Sequence, residues 1–195
     1  MKFVKCLEDQ YIYMMKPNII TAPEYKFFPQ NSIKIFLAGG ICRCVDWQTS
    51  LIKYFKVSVM CGDIDMNNIY ILNPRRAEWL PDDSADEQVE WEFDMIERCD
   101  IFTMYFAGGV SDQPICMYEL GRNIERMKAK FPDSWWNRIV IACDDRYKRT
   151  FDVKKQVWLA TGGKVEVNVV MGENESITTH CESIEKAMKN LKKEG

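Results

Sequence analysis

The sequence predicts an α/β fold: a doubly wound, five-stranded parallel sheet with helices on both faces. Three observations carry this expectation. Residues 33 to 193 alternate short β-rich runs with amphipathic stretches, the pattern of successive βα units. The 195 residues are 47% hydrophobic and 28% charged, which suits one domain with a real core and excludes disorder. Right-handed crossovers then leave 2-1-3-4-5 as the strand order.

The expected strands are Ile33–Leu37, Ile69–Leu72, Ile101–Tyr105, Arg138–Ala142 and Val165–Val170. Helices are read near 46–56, 87–98, 114–130, 151–160 and 176–193, the last from the helical spacing of Ile177, Ile184, Met188 and Leu191. Asp46 is placed to cap the first helix before Trp47, and Pro114 suits the opening turn of the third. Residues 1–30 do not share this rhythm. Lys2–Leu7 and Tyr11–Met15 around Glu8-Asp9-Gln10 read as a hairpin, followed by a loop with Pro17, Pro23 and Pro29, so residues 1–30 are expected to form an arm and 31–195 the domain. Such an arm would cover a sheet edge or a neighbouring subunit.

Charge and composition exclude several functions. Lys and Arg total 26 against 29 Asp and Glu, a net charge of -3 that argues against a nucleic-acid partner but leaves a single nucleotide possible. No stretch nears the roughly 20 apolar residues that span a bilayer, and acidic residues arrive too early for a signal peptide, so no membrane partner and a cytoplasmic location are expected. The eight cysteines are scattered, several within apolar runs, and read as reduced thiols. Cys42-Arg43-Cys44 has no second cysteine pair at ligand spacing, so no metal is expected. The single histidine, His180, sits in a polar stretch without a nucleophile motif, which leaves any catalysis to carboxylates.

Ligands of open parallel sheets bind beyond the carboxyl ends of the strands. The first strand ends in Ala38-Gly39-Gly40-Ile41-Cys42-Arg43, where paired glycines let backbone amides approach a ligand, or simply make a tight turn. The third glycine of a dinucleotide fingerprint is absent, which disfavours a nicotinamide or flavin reductase. The second strand ends in Asn73-Pro74-Arg75-Arg76, whose arginines could receive a phosphate or a carboxylate, or form a solvated basic pair. The third runs through Gly108-Gly109 and Asp112-Gln113 into a helix bearing Glu119, which the helix start would help to keep ionised. Gly121, costly inside a helix, hints at close packing. In the preceding helix Val89, Phe93 and Ile96 mark the buried stripe, with Glu92 within roughly 60° of its middle and Asp94 pointing to solvent. Glu92 and Glu119 thereby approach one crevice from neighbouring βα units. Trp79, Trp91, Trp135 and Trp136, in polar surroundings, suggest aromatic surface used for a base or a subunit interface, although core packing explains most of them equally well.

Taken in order, Ile33-Lys34-Ile35-Phe36-Leu37-Ala38-Gly39-Gly40, Asp46-Trp47-Gln48, Asn73-Pro74-Arg75-Arg76, Gln88-Val89-Glu90-Trp91-Glu92, Cys99-Asp100-Ile101 and Pro114-Ile115-Cys116-Met117-Tyr118-Glu119-Leu120-Gly121 resemble the nucleoside 2-deoxyribosyltransferase-like proteins. The resemblance spans about residues 33–145. It implies a flavodoxin-like sheet and cleavage of an N-glycosidic bond without a cofactor, through a glycosyl-enzyme ester formed by a glutamate on C1′. Glu119 matches that nucleophile and Glu92 the acidic residue that contacts the departing base. Gly39, Gly40, Arg43, Asp46, Trp47, Asn73, Arg75, Arg76, Asp112, Gln113 and Tyr118 are the expected substrate-binding residues. The sequence departs from the family at Ile35 and Phe36, where a tyrosine is common, at Gln113, where a carboxylate touches the sugar, and at the C-terminal Glu194-Gly195. These departures weigh on base exchange more than on cleavage, since a hydrolase needs only water. The expected partner is a small nucleoside or nucleotide, with a homo-oligomer anticipated. A non-catalytic nucleotide-binding or sensing protein is the alternative.

Overall fold

The computed structural model describes residues 17–78, 84–109, 111–170 and 173–194. The strands are β1 (Asn18–Thr21), β2 (Ile33–Gly39), β3 (Ile69–Asn73), β4 (Ile101–Phe106), β5 (Ile139–Asp144) and β6 (Val167–Val170). The helices are α1 (Trp47–Met60), α2 (Ala85–Arg98), α3 (Pro114–Lys130), α4 (Thr150–Thr161) and α5 (Glu173–Glu194), with a single 3₁₀ turn at Trp135–Arg138. All six strands run parallel in the order β1-β3-β2-β4-β5-β6.

From β2 onward the spatial order is 2-1-3-4-5, as expected, but the sheet has six strands and not five. The extra one lies in the segment read as an arm: Asn18–Thr21 pairs with Tyr70–Asn73 of β3, so the sheet extends across the boundary expected at residue 31. Four residues flanked by Pro17 and Pro23 are too short to show a period, and their pairing to β3 depends on a distant strand. The hairpin expected over residues 2–15 lies outside the described residues, as does Trp79.

The central strands β4 and β5 are buried along their whole length, as strands covered by helices on both faces must be. One core layer packs α1 and α5 on the sheet through Trp47, Leu51, Phe55, Cys181 and Ile184. The other packs α2, α3 and α4 through Trp91, Met95, Leu120, Ile124 and Val153. Of the tryptophans for which aromatic surface and core packing were both open, Trp91 and Trp135 are core residues. Among the described residues no helix is long and apolar enough to cross a membrane. The seven described cysteines are free thiols, with Cys99, Cys116, Cys143 and Cys181 buried.

Local chemistry sets the helix starts. Asp46 accepts the Thr49 N–H at 3.0 Å and caps α1. Ser84 accepts from Asp86 and Glu87 at 3.1 and 3.4 Å at the head of α2, where those two acids also suit the helix dipole. Pro114 opens α3.

Candidate active site

The carboxyl edge of the sheet between β2 and β4 is where successive strands begin to be added on the opposite side, so adjoining loops diverge and leave a crevice. Gly39 ends β2 with φ of 148°; a Cβ there would sit 2.3 Å from the Tyr105 carbonyl oxygen and 2.8 Å from the Trp47 ring. At Gly40 a Cβ would come within 2.5 Å of both Cys44 Sγ and Gln113 Oε1. The glycine pair therefore lets the β2–α1 loop lie flat against the entry to α3.

Most of the polar residues expected to bind substrate here build this loop. Arg75 donates to Gln48 Oε1 at 2.9 Å and to the carbonyls of Gly40, Ile41 and Val45 at 3.3, 3.1 and 3.2 Å, and pairs with Asp46 at 3.2 Å. Asn73 Oδ1 accepts the Arg75 N–H at 3.1 Å in a local turn. Trp47 is buried, donates its indole N–H to the Gly40 carbonyl at 3.2 Å and packs on Tyr105 with ring centroids 5.0 Å apart. Arg76 is buried too, with Nε donating to Gln88 Oε1 and Nη2 to Glu87, each at 2.7 Å. The strand end that looked ready for a phosphate is thus engaged by protein groups, loop carbonyls and Gln48 around Arg75 and the α2 side chains Gln88 and Glu87 around Arg76.

Of the remaining expected residues three are exposed and one is buried. Arg43 is exposed in a left-handed conformation (φ 58°). Asp112 is exposed, and its hydrogen bond and ion pair with Lys148 at 2.8 Å hold its carboxyl below the usual range. Tyr118 is exposed on the outer side of α3. Gln113 is buried in the left-handed region at the head of α3; its Nε2 donates to the Ala107 carbonyl at 2.7 Å, and its Oε1 has no partner among the described residues.

Glu92 and Glu119 come from adjacent helices. The Arg122 guanidinium of α3 lies 4.2 Å from the centroid of the Phe93 ring of α2 and also pairs with Glu97, so the two helices run side by side next to these carboxylates. Both are half-buried. Burial pushes the Glu119 carboxyl up to about 7, helped by the charge of Glu92 and opposed by Arg122. Glu92 is raised by burial as well, but the hydrogen bond from Gln88 and the charge of Arg76 oppose it. Cys116, one turn before Glu119, has its thiol pushed up to about 12 by burial and then by Glu119, Cys44 and Glu92.

Three expectations need correction. The helix start does not keep Glu119 ionised: it is the sixth residue of α3, beyond the turn where the dipole acts, and desolvation prevails. Gly121 meets nothing within 4 Å and is exposed, so no close packing explains it. The buried stripe of α2 is Gln88, Trp91, Met95 and Ile96, whereas Val89 and Phe93 are 64% and 52% exposed. Trp91, with the largest apolar area to bury, decides the helix orientation against Phe36 and the loop after β1, where it donates to the Glu24 carbonyl at 2.8 Å. Glu92 stays at the edge of either stripe. Asp94 remains half exposed, beside Arg98 at 4.0 Å.

The sequence reading passed over Gln88 as a functional residue. It is 7% exposed, accepts from Arg76 and donates to Glu92 Oε1 at 2.6 Å and to the Pro74 carbonyl at 2.7 Å. Its signal was an alternative helical register, with Gln88 three residues before Trp91. His180 is also fully buried, against Trp47 and Tyr105 at centroid distances of 5.9 and 5.5 Å, far from the carboxylate pair in role.

The fold is a doubly wound parallel sheet, and two half-buried glutamates whose charges act on each other stand on neighbouring helices α2 and α3. A family model described as nucleoside 2-deoxyribosyltransferase like matches residues 32–131, 100 of the 195 residues, and the chain belongs to that family. The matched span runs from the head of β2 to the end of α3 and so includes both glutamates. No curated protein matches the chain.

Proposed function

We propose that the protein cleaves the N-glycosidic bond of a nucleoside, with Glu119 as nucleophile and Glu92 handling the proton of the departing base. The observation that carries this reading is the pair itself: two half-buried carboxylates on adjoining helices, one of which, Glu119, accepts no side-chain hydrogen bond from the described residues. An oxygen free of competing donors is what attack on C1′ requires. The attacking carboxylate forms the O–C1′ bond while the C1′–N electron pair leaves on the base, which takes a proton from Glu92. Water then attacks C1′, gives its proton to Glu92 and releases Glu119.

The engagement of Arg75 and Arg76 by protein groups favours an uncharged nucleoside over a nucleotide. Exposed Val89, Phe93, Ile115 and Tyr118, from the same two helices, support the reading of a homo-oligomer, which sedimentation velocity tests. A panel of nucleosides, deoxynucleosides and their 5′-monophosphates, with and without acceptor base, assayed for free base by chromatography, tests the activity. Glu119→Gln is expected to retain nucleoside binding while cleavage falls by several orders of magnitude. Binding by wild type without cleavage of any member of the panel would replace this reading with that of a binding protein.

A further inference from the structure

The two carboxylates differ sharply in their surroundings. Glu119 has no hydrogen-bond donor among the described residues. Glu92 has one, Gln88 Nε2 at 2.6 Å, and that amide has no freedom to turn around. Arg76 Nε can only donate, and it meets Gln88 Oε1 at 2.7 Å; the other end of the amide must therefore carry the N–H groups, which go to Glu92 and the Pro74 carbonyl. Glu87 on the far side of Arg76, at 2.7 Å, completes a chain Glu87–Arg76–Gln88–Glu92.

We propose that Gln88, its amide orientation locked by Arg76, is a positioning residue that holds Glu92 as the ionised member of the pair and leaves the exchangeable proton on Glu119. This rests on the reading of the site as a glycosidic-bond-cleaving pair. Because Gln88 occupies Oε1 of Glu92, Oε2 is the oxygen that carries the proton traffic. When substrate is seated, the Glu119 proton passes to Glu92 Oε2 and the freed lone pair forms the bond to C1′. The C1′–N pair leaves with the base, which takes the same proton, so Glu92 is again ionised when water arrives. Water then loses a proton to Glu92 as it attacks, Glu119 departs as a carboxylate, and return of the proton to Glu119 restores the resting state. The direction of the pKa displacements agrees: Gln88 and Arg76 both pull Glu92 down, while Glu119 is pushed up by burial and by Glu92. Other groups facing the pair are Cys116 from α3, with Cys44 behind it, and Arg122 beside Glu119.

The test is a carboxyl titration by NMR of protein labelled with ¹³C at the glutamate side chain, with the two signals assigned from Glu92→Gln and Glu119→Gln. In wild type Glu92 is expected to ionise before Glu119. Gln88→Met keeps the length of the side chain and removes the donor, so the Glu92 midpoint should rise by about one pH unit, a tenfold change, while the Glu119 midpoint falls. Arg76→Lys retains the charge but not the guanidinium that locks the amide, and should displace both midpoints in the same directions by less; it also serves if Gln88→Met does not fold. With an active substrate, Gln88→Met should lower kcat about tenfold and displace the acid limb of its pH profile, with KM little changed. A side chain that only supported the fold would lower Tm and leave both midpoints in place. Unchanged midpoints in the variants, or Glu119 ionising first in wild type, overturn the proposal. The titration needs no turnover, so failure to cleave any nucleoside would refute the proposed function while the midpoints still decide the role of Gln88.

Discussion

Glu119 is expected to reduce the stability of the folded chain, and removing its charge should reveal by how much. Its carboxyl rises from 4.5 to about 7 in the fold. Between those values the native state keeps a proton that the unfolded state has lost, so stability falls as pH rises through this window and the full cost is present above it. At 1.36 kcal/mol per pH unit the cost reaches about 3 kcal/mol. Glu119→Gln keeps the shape and has no charge to desolvate. Its stability relative to wild type should be close to zero near pH 4 and grow to about 3 kcal/mol at pH 8, equivalent to a Tm higher by roughly 6–12 °C for a chain of this size. Urea unfolding of both proteins at half-unit steps from pH 4 to pH 8.5, followed by circular dichroism, measures the difference directly. A difference that does not vary with pH, or a Glu119→Gln protein less stable at pH 8, would refute the argument that burial and the neighbouring Glu92 dominate this carboxyl. The expected combination of greater stability with lost cleavage is the trade-off of a strained active site.

Further outcomes follow from the same structure. His180 is buried with no partner at either ring nitrogen among the described residues and its imidazole is lowered by burial to about 3, so the unfolded state binds the extra proton and stability falls as pH drops below 6.5. His180→Leu should remove that acid-side slope and be neutral or stabilising at pH 7.5, which thermal melts across pH 4–7.5 check. Gly121→Ala should stabilise by about 0.5–1 kcal/mol, since the residue is helical, exposed and has open space where the methyl would go; a loss of stability in urea titration would mean that a surface packs against it. Gly39→Ala should cost about 2–4 kcal/mol, from the left-handed strain and the clash with the Tyr105 carbonyl oxygen, and an unchanged Tm would contradict it.

What was legible in the sequence was local in origin. The β2-to-β6 alternation, the cap at Asp46, the proline at the head of α3 and the glycine pair after β2 each follow from a few adjacent residues obeying backbone rules, and the element boundaries from β2 onward fall within four residues of those expected. The family resemblance could be read for a similar reason, because its short motifs lie at strand ends and helix starts, where spacing along the chain dictates spacing in the fold. The placement of Glu92 and Glu119 was legible in the same way, as helix-borne carboxylates in successive βα units.

Only the tertiary structure decided the rest. Strand β1 exists because β3 offers an open edge, and nothing in Asn18-Ile19-Ile20-Thr21 announces that partner. The orientation of α2 was settled by Trp91 competing with Phe93 for one core site, a contest between side chains whose outcome depends on the opposing surface around Phe36 and not on helical period alone. Arg75 and Arg76 have the same sequence signature whether they meet a ligand or protein groups; the close approach of the β2–α1 loop gave Arg75 its carbonyl acceptors, and α2 gave Arg76 the side chains of Gln88 and Glu87. The ionisation of Glu119 depended on how much water the packed helices excluded, since desolvation is a property of the assembled fold and has no representation in the order of residues along the chain.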